Sequence, residues 1–251
     1  MDRDARHLAV VSGGGTGIGA AITGGLVVDG YDVVIVGRRT EVLTATAATV
    51  SDEAGRKDAV TTVTADLTDP AQVGRVVDAV GERPVDALIN NAGGYLGGSD
   101  DDLVAVAEWW RRNLDANVLT AVLLTTALRS RLRRPGGRVI LLSSIAAQRG
   151  GGGPYSAAKA ALHGWAYDLA AEFGPDGVTV NVVSPGYVAE TEFFAGRMTA
   201  EGHAARVAQT LVGRAGAPDD IAAAVRWLVG PGGGYVTGQV IGVNGGSVLG
   251  R

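Results

Sequence analysis

Short runs of apolar, β-branched residues alternate along the chain with longer segments rich in alanine. The short runs predict strands and the longer segments predict helices. Strands are expected at residues 8–11, 33–36, 60–65, 87–89, 138–142, 178–183 and 240–243. Helices are expected at residues 17–29, 40–53, 70–80, 103–133, 154–173 and 218–228.

The order of these elements predicts the fold class. Strands that are apolar throughout and separated by helix-length crossovers call for a parallel sheet covered on both faces. Right-handed crossovers then give an α/β, doubly wound sheet with helices on both faces, a single-domain Rossmann fold. No linker or repeat divides the chain, so we expect one domain over residues 1–251, with ligands beyond the carboxyl ends of the strands.

Composition narrows the chemistry. The formal charge of -4 and the pI near 5.4 argue against a nucleic-acid partner. The absence of cysteine excludes disulfides and thiolate chemistry, and three scattered histidines do not predict a metal site. The N-terminus does not resemble a signal peptide and no apolar stretch approaches the roughly 20 residues of a membrane span. We therefore expect a cytoplasmic protein without a membrane partner.

A glycine-rich turn, SGGGTGIG over residues 12–19, joins the first strand to the first helix. Glycines allow a tight turn and close backbone approach, and the helix N-terminus offers free N–H groups and a positive dipole to a pyrophosphate. The alternative is a glycine loop without a ligand, which the flanking strand and helix disfavour. The candidate dinucleotide-binding residues of this turn are Ser12, Gly13, Gly15, Thr16, Gly17, Ile18 and Gly19.

The turn after the second strand bears on cofactor choice. A carboxylate there would bind a ribose 2′-hydroxyl, whereas arginine accepts a 2′-phosphate. At this turn the chain has Arg38 and Arg39 and no acidic residue, which favours NADP(H) over NAD(H). Two solvated arginines at a helix entrance are the alternative. A basic residue in place of Thr16 would have strengthened the prediction.

Tyr155 and Lys159 stand four residues apart, so on a helix they share one face. A nearby ammonium favours the phenolate and lowers the tyrosine pKa, as a general acid–base requires. Taken alone, this spacing is weak evidence. It gains weight because Lys57 is the only other lysine and because the pair follows the fifth strand of a sheet expected to bind a dinucleotide.

Further short motifs occur in order along nearly the whole chain. The motifs are Ser12-Gly13-xxx-Gly17-Ile18-Gly19, Asp66-Leu67, Asn90-Asn91-Ala92-Gly93, Asn117, Ser143-Ser144, Tyr155-xxx-Lys159, Asn181, Pro185-Gly186, Tyr235-Val236-Thr237-Gly238-Gln239 and Asn244-Gly245-Gly246. Together they resemble the motifs of the short-chain dehydrogenase/reductase family, most of all those of the 3-oxoacyl-carrier-protein reductases and related ketoreductases.

The resemblance implies catalytic roles. Tyr155 would protonate a carbonyl oxygen, and Lys159 would hold the nicotinamide ribose and lower the tyrosine pKa. Ser144 would hydrogen-bond the substrate oxygen, and Asn117 would anchor a water behind Lys159. A helix N-cap for Ser144 and a buried polar residue for Asn117 are the alternatives.

Other cofactor contacts follow from the same resemblance. Asp66 would contact the adenine, Asn90 the adenosine ribose, and Val188 and Thr191 the carboxamide. Leu67, Ala92, Gly93, Pro185 and Gly186 would complete the cofactor site.

Two segments depart from the family pattern. The segment between Ser144 and Tyr155 is shorter than usual and rich in glycine, which also leaves Ser143 to be considered as the catalytic serine. The segment from Pro185 to Thr191 is one residue longer than the usual family segment.

The expected substrate segment covers about residues 187–212, where Phe193, Phe194 and Met198 suggest an apolar wall suited to a ketone with a hydrocarbon or ring portion. Ordinary core packing is the alternative. The predicted substrate residues are Tyr95, Ser144, Gln148, Tyr187, Phe193 and Phe194.

The sequence thus predicts an NADP(H)-dependent oxidoreductase that moves hydride between nicotinamide and a small ketone or secondary alcohol, free or carrier-linked. An NAD-dependent alcohol, steroid or sugar dehydrogenase is one alternative, and a dinucleotide-binding sensor or scaffold is another. The resemblance implies a homotetramer or homodimer built on the helices that carry Asn117 and Tyr155. Trp109 and Trp110 are either interface anchors or core residues.

Overall fold

A seven-stranded parallel sheet forms the centre of the protein in the computed structural model, which describes residues 6–194, 196 and 198–250. The strand order is β3-β2-β1-β4-β5-β6-β7. The strands are β1 (Leu8–Ser12), β2 (Asp32–Gly37), β3 (Val60–Thr64), β4 (Ala87–Asn90), β5 (Arg138–Leu142), β6 (Thr179–Pro185) and β7 (Val240–Val243).

Helices connect the strands and cover the sheet. They are α1 (Gly17–Val28), α2 (Thr40–Glu53), α3 (Pro70–Val80), α4 (Leu103–Leu114), α5 (Thr120–Leu128), α6 (Ala146–Arg149), α7 (Pro154–Phe173), α8 (Ala200–Val207) and α9 (Pro218–Val229). A π-helical segment, Asp115–Leu119, joins α4 to α5. In the described part of the chain, no helix has the length and apolar character of a membrane span.

Side chains alternate between two cores along each strand. Leu8 and Val10 of β1 face the core under α3, α5 and α7, whereas Ala9 and Val11 face the core under α1, α2 and α9. Both sets are buried because helices cover both faces of the sheet. The predicted doubly wound α/β fold is therefore confirmed.

The helix predicted over residues 103–133 is wrong in its continuity and in its end. The chain passes through the π-helical segment and leaves the helix after Leu128. Beyond that point Val85 donates to the carbonyl of Arg131 and accepts from the amide of Arg133. These backbone groups pair with an extended segment, so they cannot continue the helical ladder.

The sheet order reverses between β1 and β4, because α1 leads from β1 to one side and β4 returns on the other. In open parallel sheets the crevice beyond such a reversal is where ligands bind. The ends of β1, β2, β4, β5 and β6 bring most of the predicted site residues to this edge.

Candidate active site

The glycine turn after β1 needs glycine for two separate reasons. Gly13 and Gly17 have φ values of +65° and +50°, which side chains rarely adopt. Gly19 allows close packing, since a Cβ built there would lie 2.0 Å from the Gly13 carbonyl oxygen. A Cβ on Gly14 would lie 2.6 Å from Ile35. The turn is therefore held tightly against β2 and the first turn of α1.

The N-terminus of α1 is not capped by a side chain. Thr16 occupies the N-cap position without a capping hydrogen bond, whereas Asp69 and Asp102 accept from the first-turn amides of α3 and α4. Helix-terminal N–H groups without a side-chain acceptor are donors for an anion, reinforced by the helix dipole. This edge fits the pyrophosphate of a dinucleotide.

The Ser12 hydroxyl bonds backbone groups within the protein, and the predicted contact of Ser12 with the cofactor stays a prediction. Its side chain is 2% exposed, and its Oγ accepts from the amides of Asn91 and Ala92 at 3.0 and 2.9 Å. Asn91 in turn donates to the carbonyls of Ser12 and Gly13. The Ser12 hydroxyl thus fixes the joint between β1 and the loop after β4 rather than facing the crevice.

Two other side chains predicted to touch the cofactor point into the helix layer. Asn90 is buried and donates from Nδ2 to Thr125 Oγ1 at 2.9 Å. Leu67 belongs to the core under α3 and α5. The alternation along β4 turns the Asn90 side chain away from the crevice, and the predicted contact of Asn90 with the adenosine ribose stays a prediction.

Asp66 and Arg38 lie at the ends of neighbouring strands. The carboxylate of Asp66 accepts from the backbone amide and hydroxyl of Thr68, and these hydrogen bonds lower its pKa. The charge of Arg38 lowers this pKa further. An ionised Asp66 therefore stands beside the Arg38 guanidinium at the expected adenine end of the crevice.

Arg39 is paired with a residue that the sequence did not mark for cofactor binding. It makes a two-point ion pair with Glu192, with Nη2–Oε2 at 2.7 Å and Nη1–Oε1 at 3.2 Å. Hydrogen bonds from Arg39 and from the Thr16 side chain lower the pKa of Glu192. Glu192 therefore links the α1 and α2 entrances to the connection that follows β6.

Tyr155 lies on the first turn of α7 with its ring between two aromatic neighbours. Its centroid is 6.1 Å from that of Tyr95 and 5.7 Å from that of Phe193. Burial raises the pKa of Tyr155, and a hydrogen bond with the Ser144 hydroxyl opposes that rise. The structure thus brings together Tyr155, Ser144 and two of the predicted substrate residues.

Lys159 is 4% exposed, and its Nζ donates to the carbonyl of Leu142 at 2.8 Å. Burial lowers the pKa of Lys159 to about 8. Its Nζ lies 5.9 Å from the centroid of the Tyr155 ring. The expected lowering of the tyrosine pKa is not found in this structure, because desolvation acts on both groups and raises the pKa of Tyr155.

Asn117 lies in the π-helical segment and holds the loop after β4. Its Oδ1 accepts from the amide of Gly94 and its Nδ2 donates to the Gly94 carbonyl, both at 2.9 Å. A Cβ on Gly93 would lie 2.5 Å from Asn117 Oδ1 and 3.2 Å from Lys159 Nζ. Gly93 therefore packs directly against both polar groups.

The two adjacent serines have different partners. The hydroxyl of Ser143 donates to the carbonyl of Lys159 at 2.9 Å and lies 2.8 Å from His163 Nε2. Ser144 faces Tyr155 and also accepts from the amide of Ala146. Of the pair, Ser144 is the one in a position to reach a substrate oxygen beside Tyr155, although it also bonds the start of α6 as the N-cap alternative suggested.

Trp109 supports the shortened loop between Ser144 and Tyr155. Its indole Nε1 donates to the carbonyl of Leu96 at 2.7 Å. Cβ atoms built on Gly98 and Gly153 would lie 2.2 and 3.2 Å from its ring. Trp109 is therefore a packing residue between two loops at the site, whereas Trp110 is 41% exposed.

The connection after β6 is fixed at both ends. The carbonyl of Pro185 accepts from the amide of Ile145, and Gly186 donates to the carbonyl of Val243. Val188 is buried, and Thr191 Cγ2 lies 3.3 Å from the position of a Cβ on Gly17. Glu190, in the segment noted as longer in the sequence, has a φ of 58°.

The remaining predicted substrate residues lie around this connection. The Tyr187 hydroxyl is 2.8 Å from His203 Nδ1, so this ring packs toward α8. Gln148 Oε1 lies 3.5 Å from Ser184 Oγ. The side chain of Phe194 lies outside the described residues.

Comparisons with known proteins agree with this geometry. Residues 13–247 match the family model described as enoyl-(acyl carrier protein) reductase. An oxidoreductase of Methylorubrum extorquens is 37% identical over 95% of this chain and 96% of its own. The 3-oxoacyl-[acyl-carrier-protein] reductase of Salmonella typhimurium is 33% identical over 96% of this chain and 97% of its own.

Solved structures give the same answer. A short-chain dehydrogenase from Burkholderia cenocepacia, in complex with NADP, is 35% identical, with a TM-score of 0.85 over 98% of this chain and 99% of its own. A variant of actinorhodin polyketide ketoreductase with NADPH is 30% identical, with a TM-score of 0.86 over the same shares. The chain therefore belongs to the short-chain dehydrogenase/reductase family of nicotinamide-dependent oxidoreductases that act on carbonyl and CH–OH groups.

Proposed function

We propose that the protein is an NADP(H)-dependent ketoreductase, which moves hydride between nicotinamide and a ketone or secondary alcohol. The observation that carries this proposal is the grouping of three side chains: the Ser144 hydroxyl lies near enough to Tyr155 to oppose the rise of its pKa, and the Lys159 Nζ lies 5.9 Å from the centroid of the tyrosine ring. This group lies at the same sheet edge as the uncapped N-terminus of α1. A dinucleotide on that helix would carry its reactive end toward Tyr155.

The side chains suit the reducing direction. NADPH supplies the hydride, and the proton that completes the alcohol comes from the Tyr155 hydroxyl. The raised pKa of Tyr155 keeps this hydroxyl protonated at neutral pH, ready to act as the acid. Ser144 orients the carbonyl oxygen with a second hydroxyl, and Lys159 compensates the charge that develops on Tyr155.

NADP(H) is favoured by the two arginines at the end of β2. A guanidinium binds a 2′-phosphate through two parallel hydrogen bonds, and no carboxylate follows this strand to receive a ribose hydroxyl. The similar proteins that were solved with NADP or NADPH support the same choice. NAD(H) is the alternative cofactor.

The substrate class follows from the walls around Tyr155. The rings of Tyr95 and Phe193 flank its phenol, so a ketone with a hydrocarbon or ring portion fits beside the hydroxyl. Similarity to reductases of carrier-linked and polyketide ketones favours such substrates over steroids, sugars or simple alcohols. We place this activity in one catalytic domain, and cytoplasmic location is part of the proposal.

A dinucleotide-binding sensor or scaffold is the competing function. Such a protein would need the glycine turn but not an acid within reach of a second ligand. The pairing of Ser144 with Tyr155 and the burial of Lys159 favour the enzyme.

The test is a panel of β-keto thioesters, cyclic ketones and their alcohols, assayed by nicotinamide absorbance with NADPH and with NADH. We expect turnover of at least one ketone class with NADPH preferred. Arg38→Asp is expected to lower that preference at least tenfold, since a good two-point contact is worth about 1.5–3 kcal/mol. Dinucleotide binding without turnover of any ketone or alcohol would support the sensor, and an unchanged preference would refute the role of Arg38.

A further inference from the structure

Glu192 pairs with Arg39, one of the two arginines that are expected to receive the 2′-phosphate of the cofactor. Both oxygens of its carboxylate pair with Arg39, at 2.7 and 3.2 Å. Arg39 stands at the N-cap of α2, whereas Glu192 belongs to the connection after β6. The pair therefore spans the rim of the crevice.

A second group lies beside the carboxylate. The Thr16 side chain does not cap α1, and it contributes to the lowered pKa of Glu192. Thr191, the preceding residue, packs on Gly17 at the start of that helix. The position of Glu192 is thus set by the connection as well as by its attraction to Arg39.

A carboxylate and a 2′-phosphate cannot share Arg39 without cost. Both are anions that use the same face of the guanidinium, and like charges at such short range repel each other. The Arg39 and Glu192 side chains are 56% and 55% exposed, so their pair is weak enough to be exchanged. NAD(H) lacks the phosphate and leaves the pair undisturbed.

We propose that Glu192 is a specificity-determining residue that competes with the 2′-phosphate of NADP(H) for Arg39. The carboxylate therefore weakens NADP(H) binding and leaves NAD(H) binding unchanged. The enzyme exchanges one counter-ion for another when NADP(H) binds, which frees the connection after β6 from the α2 entrance. This inference rests on the proposed preference for NADP(H).

The experiment compares NADPH and NADH dissociation constants for the wild type, Glu192→Gln and Glu190→Gln. Glu190 is the matched control, since it is an exposed acid in the same connection. Glu192→Gln is expected to tighten NADPH binding roughly two- to fivefold, the size expected for an exposed ion pair. NADH binding stays unchanged, which also shows that the variant is folded.

A second background tests the route of the effect. In Arg39→Gln, the additional change Glu192→Gln is expected to leave NADPH affinity unaltered, because the contested guanidinium is gone. A gain that persists in Arg39→Gln would overturn the competition. Equal tightening of NADH and NADPH by Glu192→Gln would also overturn it, as would weaker or unchanged NADPH binding.

The two proposals fail in different ways. If the wild type prefers NADPH and Glu192→Gln changes nothing, only the competition is refuted. If the wild type binds both cofactors equally, the proposed preference is refuted for the natural chain. In that case a Glu192→Gln variant that still binds both equally refutes the competition as well, whereas a new NADPH preference supports it.

Discussion

At the scale of single residues, burial explains what sequence spacing does not. Spacing places Tyr155 and Lys159 on one helix face, and the structure has them there. Spacing does not say how much water remains around each group. Desolvation raises the pKa of Tyr155 and lowers that of Lys159 to about 8, so the lysine rather than the tyrosine has its pKa brought toward neutrality.

This burial makes stability depend on pH. Because the pKa of Lys159 falls from 10.5 to about 8 on folding, the unfolded chain binds more protons between these values. The free energy of unfolding contributed by this group therefore rises with pH across that window, by roughly 3 kcal/mol in all. Urea unfolding of the wild type and Lys159→Met from about pH 7 to about pH 10.5 measures it. A difference between the two proteins that does not grow with pH would contradict this account.

Some residues could be placed from sequence and others could not. The glycine turn could be placed because its glycine spacing between a strand and a helix is visible in a single sequence. Tyr155 and Lys159 could be placed because their four-residue interval is visible in the same way. Ser12 and Asn90 belong to the family motifs, yet their side chains point away from the crevice and bond neighbouring segments. The motif alone does not show to which side of the strand end each side chain points. Glu192 had no signal, since its partner is distant in sequence and meets it only through the fold.

At the scale of elements, two loops at the active site depend on one helix side chain. Trp109 of α4 bonds the loop before it and packs against Gly98 and Gly153. Gly153 immediately precedes α7 and hence the turn that carries Tyr155. The family resemblance marks the loop as shortened, but the sequence does not show which side chain supports it.

We therefore expect Trp109→Ala to lower kcat/KM about tenfold or more while NADPH affinity stays within about twofold. Removal of the ring leaves Gly98 and Gly153 without their packing partner and loosens the approach to Tyr155. Trp109→Phe keeps a ring but loses the hydrogen bond to Leu96, so its kcat/KM is expected to lie between those of the wild type and Trp109→Ala. Steady-state kinetics and NADPH titration make the comparison. Wild-type kcat/KM in Trp109→Ala would refute this support role.

At the scale of the whole molecule, the sheet was predictable and the connections were less so. Apolar strands alternating with helices allow few parallel arrangements, so the doubly wound fold follows. The early end of the helix after Leu128 depends on the pairing of Arg131 and Arg133 with Val85, which is distant in sequence. The break at the π-helical segment has no marker in the local sequence. The assignment of residues 187–212 to a substrate segment stays a prediction.

The surface bears on assembly. Several large apolar side chains of α4 and α7 are exposed on the single chain, namely Leu103, Val104, Trp110, Leu114 and Tyr167. Helices α4 and α7 pack against each other, and exposed apolar surface on neighbouring elements commonly marks a protein interface. We expect a homotetramer, or a homodimer, whose contacts include these helices.

Light scattering coupled to size exclusion tests this expectation. The wild type is expected to elute as a tetramer or dimer, and a charged replacement such as Tyr167→Glu is expected to shift it toward smaller species. Val28→Glu, also on an exposed apolar residue but on α1, serves as the control and should leave the mass unchanged. A monomeric wild type at micromolar concentration would contradict the prediction.

The most direct test of the central claim is hydride transfer from deuterated NADPH in the wild type and in Tyr155→Phe. The variant keeps the ring between Tyr95 and Phe193 but has no proton to give. The wild type should deliver deuterium to the carbonyl carbon of a ketone, and Tyr155→Phe should bind NADPH with unchanged affinity while kcat falls roughly 100-fold or more. Turnover near the wild-type rate in Tyr155→Phe would show that the proton comes from elsewhere and would contradict the proposed mechanism.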